Sequence, residues 1–170
     1  MKKFFIIALF ASCSLIYPTN ADSNVHESIA DYEQFPMWID VQAQTRKAFY
    51  AENRGASPKV RRLNAAVRLA MFTAANGATP KYTQYLTSIN ENTYADPIYA
   101  AGVAAGQVLA YAYGEKYANE PVKKLLSKNA HSLDEEAILA STSLGRASAL
   151  AAIERANEEV SNKHPAYVPQ

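Results

Sequence analysis

The sequence predicts an all-α fold, a single domain of about five helices. Three observations carry this expectation. Apolar residues make up 49% of the 170 positions, and alanine leads them with little β-branching, a composition that suits closely packed helices. These residues recur at three- and four-residue spacing, and Gly or Pro punctuates each run. No stretch alternates apolar and polar with the period of two that a half-buried strand requires, so nothing reads as β.

The amino end has the layout of a secretory signal. Lys2 and Lys3 form a positive n-region, residues 4–17 are apolar but too few to cross a bilayer comfortably, and Pro18 breaks the run before Thr19-Asn20-Ala21. Cleavage after Ala21 is expected, giving a signal peptide at 1–21 and a periplasmic or secreted product. The competing reading is a lipoprotein anchored at Cys13, because Phe10-Ala11-Ser12-Cys13 approximates the box before a lipid-modified cysteine. Under either reading Cys13 is no catalytic thiol, and cleavage after Ala21 leaves a mature chain that can form no disulfide.

The mature part of about 150 residues suffices for one domain with a real core. Residues 22–56 are expected to hold a polar segment and a first helix, opened by Pro36, running through Trp38, Ile39, Val41, Ala43, Ala48 and Phe49, and ended by Gly55. Residues 57–161 form the main helical region. Its first helix has Ser57 as N-cap, Pro58 in the first turn, and a buried stripe of Val60, Leu63, Val67, Ala70, Met71 and Ala74 that Gly77 and Pro80 stop. Asp96 and Pro97 cap and open the next, through Ile98, Ala101, Ala105, Val108, Leu109 and Ala112 to Gly114. A short helix carries Val122, Leu125 and Leu126. Ser132-Leu133-Asp134-Glu135 fits a capping box for a long last helix through Ile138, Leu139, Leu144, Leu150, Ile153 and Val160. Gly145 weakens that helix by about 1 kcal/mol unless close packing uses the missing side chain. Residues 162–170, with Pro165 and Pro169, read as a flexible tail.

Charge excludes some partners. Losing Lys2 and Lys3 takes the formal net charge from +1 to −1, so no global basic field recruits nucleic acid or anionic membrane, and no membrane span is expected after signal cleavage. Lys123, Lys124 and Lys128 near a helix C-terminus suit the dipole and read as a solvated face rather than an anion site. Arg61, Arg62 and Arg68 share the polar side of their helix, as a solvated face or an anion pocket. His131 beside the Ser132 cap reads as a surface residue. The adjacent pairs Glu135-Glu136 and Glu158-Glu159 splay across a helix surface and do not face one another. No two histidines stand at metal-ligand spacing, and no catalytic, cofactor-binding or metal-binding residue is assigned. Gly102 and Gly106 read as close helix packing. Tyr94, Tyr99, Tyr111, Tyr113 and Tyr117 surround one helix and are expected to cover its small-residue stripe, or to offer a sugar- or aromatic-binding surface.

Three helical blocks and a tail string, in order, resemble one family. Ala70-Met71-Phe72-Thr73-Ala74-Ala75-Asn76 followed by Pro80, Tyr82 and Tyr85, then Asp96 to Gly114, then Leu144 to Glu159 with Gly145 and Arg155, and finally Pro165-Ala166-Tyr167-Val168-Pro169, are similar to the amino-terminal helical region of the vanadium-dependent haloperoxidases, relatives of the type-2 phosphatidic acid phosphatases. The resemblance covers Ser57 to Gln170. Thr73 departs from it where an aspartate is common, and Asn157-Glu158-Glu159 replaces an Asp-Gly turn. The strings that the family's oxyanion chemistry needs are missing: Lys-x6-Arg-Pro, Pro-Ser-Gly-His and Ser-Arg-x5-His-x3-Asp. Several fixed cations must neutralise the oxyanion and an apical histidine must be oriented, and none of His26, His131 or His164 has those surroundings.

The resemblance thus implies a helical half without its catalytic half. It is either a truncated product or part of a split enzyme, with vanadate as cofactor only if a partner supplies the rest. The alternative is a free-standing periplasmic helical binding or scaffold protein without catalysis. Self-association or capture of a helical partner is expected through apolar surface left open on the last helix and on the Asp96–Gly114 helix.

Overall fold

The computed structural model describes residues 35–53, 55, 58–86 and 89–161; the expected signal, the Ser57 cap and the tail lie outside these. The fold is all-α, with no strand among the described residues. Five helices follow one another: α1 (Phe35–Glu52), α2 (Pro58–Ala78), α3 (Pro97–Tyr113), α4 (Glu115–Ala130) and α5 (Glu135–Ser161).

The arrangement follows from α3. Its sequence contains no charged residue and is apolar nearly all round, and such a helix is stable only where every face is covered. Ile98, Ala100, Ala101, Gly102, Val103, Ala104, Ala105, Gly106, Val108, Leu109 and Tyr113 are all buried, and α1, α2, α4 and α5 each pack against this one helix. Its boundaries are those the sequence predicts. The Asp96 carboxylate accepts from Tyr99 N at 2.6 Å, Pro97 follows, and Gly114 at φ 96° ends the helix and turns the chain into α4. The burial differs from the expected single stripe. The five tyrosines do not supply the cover: Tyr113 is buried, Tyr99 and Tyr117 are half-buried, and Tyr94 and Tyr111 are exposed. The other four helices do.

Glycines set how close those helices come. A methyl group on Gly102 would overlap the Trp38 ring of α1, one on Gly106 would stand 2.6 Å from Val122 Cγ1 of α4, and one on Gly145 of α5 would stand 2.5 Å from the Ala100 carbonyl oxygen. Each pair therefore packs with side chain or backbone seated on bare backbone, so the cost of Gly145 in a helix is offset by contact.

Several expectations are corrected at the level of single elements. On α1 the core face is Trp38, Val41 and Thr45, while Ile39, Ala43 and Ala48 are exposed, because the stripe that meets α3 and α4 is set by the Trp38–Gly102 contact. Helix α2 continues through Gly77 to Ala78, and Gly77 is buried beside Leu144. Helix α4 is not short: it starts at Glu115 and runs through Pro121, held by buried Ala118 and Val122. The cap of α5 is Asp134 and not Ser132, since the chain spends Ser132 in a turn closed by Leu133 N on Ala130 O, and Asp134 Oδ1 then accepts from Ala137 N at 2.7 Å. Along α5 the buried positions are mainly small, Ser141, Gly145, Ser148, Ala149, Ala152 and Ala156 with Leu144; Leu139 and Leu150 face outward, 63% and 62% exposed. Among the described residues, exposed large apolar side chains stand on α5 (Leu139, Leu150), on α3 (Tyr111), on α1 (Ile39) and on α2 (Phe72).

Two side chains tie the ends of these helices together. Buried Asn76 closes the turn after α2: its Nδ2 donates to Tyr82 O at 2.8 Å, and its Oδ1 accepts from Lys81 N at 3.0 Å and Tyr82 N at 2.9 Å. The fully buried Ser141 hydroxyl accepts from Asp96 N at 2.8 Å and donates to Ala137 O at 2.6 Å, joining the start of α3 to α5.

Candidate functional site

Helices α1 and α2 are consecutive but barely touch, because both pack inward on other elements. Between them is an open groove of about 450 Å³ lined by Ile39, Gln42, Ala43 and Arg46 of α1 and by Asn64, Ala65 and Arg68 of α2. The spacing explains the lining: 39, 42, 43 and 46 form one stripe of α1 beside its core stripe, and 64, 65 and 68 form one stripe of α2. Ile39, Ala43 and Ala65 make apolar walls, and the two arginines are exposed.

The polar floor is fixed from behind. The Tyr113 hydroxyl at the end of α3 donates to Asn64 Oδ1 at 2.5 Å, and Gln42 Nε2 donates to Asn64 Oδ1 at 3.3 Å and Asn64 O at 3.2 Å. These bonds hold the two groove amides against the core helix. Burial pushes the Tyr113 hydroxyl above the ordinary tyrosine range and the Tyr50 neighbour adds to this, while the bond to Asn64 and the Arg46 charge pull the other way. Tyr113 is therefore a neutral donor around neutral pH. Behind the floor, Phe49 and Tyr50 meet the Tyr113 ring edge-on, at centroid separations of 5.3 and 6.4 Å.

Of the residues singled out in the sequence, Arg68 lies in this groove and Arg61 stands two turns before it on the same stripe of α2; Arg62 is exposed on that helix. Lys123, Lys124 and Lys128 are exposed along α4, and Lys124 borders a second, shallower depression with Gln44, Ala48, Tyr117, Glu120 and Pro121. His131 is exposed at the end of α4. Glu135 and Glu136 are exposed in the first turn of α5, and Arg155 and Glu158 approach one another to 3.8 Å. Among the described residues, no group of three or more His, Cys, Asp or Glu is placed to hold a metal ion. No helix of the described residues is long and apolar enough to cross a membrane. Arg46, Gln42 and Asn64 went unnoticed in the sequence. The signal available was the stripe of α1 next to Trp38, Val41 and Thr45, but which helix faces it is a long-range fact.

A smaller polar cluster lies across the bundle. Tyr111 OH accepts from Lys59 Nζ and Asn157 Nδ2, both at 3.3 Å, and these two contacts, Asn157 first, hold its hydroxyl below the ordinary tyrosine range. Glu52 at the end of α1 accepts from Lys116 and from the Tyr117 hydroxyl of α4, and those bonds lower its carboxyl below the usual range. Both clusters are solvent-exposed links between helix ends and enclose no cavity.

No protein-family model, curated protein or solved structure matches this chain.

Proposed function

We propose that this protein is an exported helical binding module that takes a small ligand between α1 and α2 and carries out no catalysis as it stands. The observation that supports this reading is the α1–α2 groove: a volume of about 450 Å³ lies in the range of small-molecule sites, and it combines apolar walls with a few convergent polar groups. The donors on its floor are anchored through Tyr113 to the central helix, so they are in place before a ligand arrives. Thermal-shift measurements on the mature chain with a panel of small metabolites test the reading. Stabilisation by one class is expected, and Ala65→Trp, which fills the groove from an exposed position, should abolish it while leaving the unliganded melting temperature nearly unchanged. A panel without effect, or shifts that survive Ala65→Trp, would refute it.

The second reading, half of a haloperoxidase- or phosphatase-like enzyme, is favoured by one observation. The three blocks of the resemblance fall on α2, α3 and α5, which are the three helices that pack most extensively on one another. Under this reading a partner chain supplies the arginines, histidines and vanadate or phosphate site. Mixing the mature chain with a polypeptide bearing the missing strings should then produce vanadate-dependent halide oxidation or phosphatase turnover that neither chain shows alone. No activity in the mixture, with both chains folded, would exclude it.

A further inference from the structure

Resting on the reading of the α1–α2 groove as the binding site, we infer that its ligand is a small amphiphilic oxyanion, a carboxylate or phosphomonoester attached to a compact apolar body. The charges are one-sided. Arg46 and Arg68 stand on the two walls, and among the described residues no Asp or Glu lines the groove and neither guanidinium forms an ion pair. Helix α2 adds Arg61, two turns before Arg68 on the same stripe, and contains no acidic residue, although the whole chain carries 17 basic and 16 acidic side chains. Basic charge is thus gathered on this face without the carboxylates that neutralise it elsewhere, as at Lys116–Glu52 and Arg155–Glu158.

Donor geometry points the same way. Asn64 Oδ1 is occupied by Tyr113 and Gln42, and no described side chain accepts from the Asn64 amide nitrogen, so what this residue has left to offer a ligand is N–H. Gln42 Nε2 is spent on Asn64, so two guanidiniums and the Asn64 amide present donors from both helices, a set that matches the several acceptor oxygens of a carboxylate or phosphate. The apolar body is accounted for by Ile39, Ala43 and Ala65, which stand between the arginines. Ile39 is 44% exposed, which a hydrocarbon or aromatic ring lying on it would reduce.

The test is a set of amide chemical-shift titrations of the mature chain with benzoate, phenyl phosphate, inorganic phosphate and the neutral benzamide, together with sedimentation with phosphatidylcholine vesicles with and without phosphatidic acid. Benzoate and phenyl phosphate are expected to move resonances confined to residues 39–46 and 61–68, with benzamide about tenfold weaker or worse. Arg46→Gln with Arg68→Gln should weaken the anions by about tenfold per guanidinium and leave benzamide unchanged. Both arginines are exposed and unpaired among the described residues, so these variants keep the fold, which the unperturbed remainder of the spectrum checks. Free anions binding and vesicles not binding identifies a soluble ligand. Arginine-dependent sedimentation with phosphatidic acid alone identifies a headgroup; either supports the oxyanion inference. Benzamide binding in the groove as well as benzoate, with no effect of the double substitution, would overturn the inference and leave the groove itself standing. Shifts nowhere localised to the groove, with no sedimentation, would overturn both.

Discussion

Replacing Gly102 with alanine adds one methyl group where the structure has no room for it. Alanine is favoured over glycine in a helix by about 1 kcal/mol, so on propensity alone Gly102→Ala would stabilise α3. Packing predicts the opposite. The new Cβ would overlap Trp38 Cζ2 and Cη2 and stand 2.6 Å from Cε2, and Trp38 is fully buried. If the ring is expelled, roughly 150–250 Å² of apolar surface returns to water, worth about 4–6 kcal/mol at ~25 cal/mol per Å². If α1 instead slides outward with the ring in place, the overpacking costs about 1–3 kcal/mol. Against the propensity gain the net loss is about 0–5 kcal/mol, with the upper half expected because the obstacle is a rigid ring. Trp38 is the sole tryptophan, so its emission reports directly on the contact. Urea denaturation followed by circular dichroism should show the loss of stability, and the native-state emission of the variant should shift to the red. A second background isolates the cause: with Trp38→Ala the same Gly102→Ala change should be neutral or stabilising, a coupling of at least about 2 kcal/mol. Equal stability of Gly102→Ala and the parent, with unshifted emission, or equal effects in both backgrounds, would refute the reasoning.

Three further outcomes are expected. Thr73 is buried with its hydroxyl unpartnered among the described residues, so Thr73→Val should raise stability by about 1 kcal/mol, measured as an increase in melting temperature of several degrees. Asn76→Ala removes three hydrogen bonds at the turn after α2 and should cost about 2–3 kcal/mol, with faster amide exchange at Lys81 and Tyr82 as its local sign. Because burial raises the Tyr113 hydroxyl above its ordinary range near 10.0, its stabilisation is complete below that range and is lost as pH rises through the higher native value. Stability should therefore fall on the alkaline side above about pH 10, and Tyr113→Phe should flatten that fall while lowering stability at neutral pH through the lost bond to Asn64.

Local chemistry explains what the sequence made legible. The limits of α3 were readable because Asp96, Pro97 and Gly114 act within one turn of themselves. The α2 stripe was readable because Leu63, Val67, Ala70, Met71 and Ala74 repeat on a face flanked by polar residues, and all five are buried. Where two local solutions competed, the pattern misled: Ser132 and Asp134 can both cap a helix, and the turn after Ala130 consumed the first. The depth of α3 was missed because helical spacing yields a stripe in any alanine-rich segment, although the absence of charge around that helix already argued for full burial. On α5 large residues suggested the core and small ones formed it, since a helix seated on another's backbone at Gly145 leaves no space for leucine. The groove needed two stripes from different helices to meet: of its lining, Ile39 and Ala43 read as core positions of the first helix, and only Arg68 read as an anion-pocket candidate.

The central position of α3 has a consequence for how the domain opens. Each of the other helices has a broad solvent face and gives up only part of its burial if it detaches, but on α3 only Gln107 and Tyr111 are exposed. Removing any one neighbour bares a strip of uncharged helix, so partial unfolding is costly wherever it begins. Amide protons from Ala100 to Leu109 should then exchange with solvent only through global unfolding. Their exchange should track denaturant as steeply as the whole transition does, while the ends of α1 and α5 exchange through small local openings.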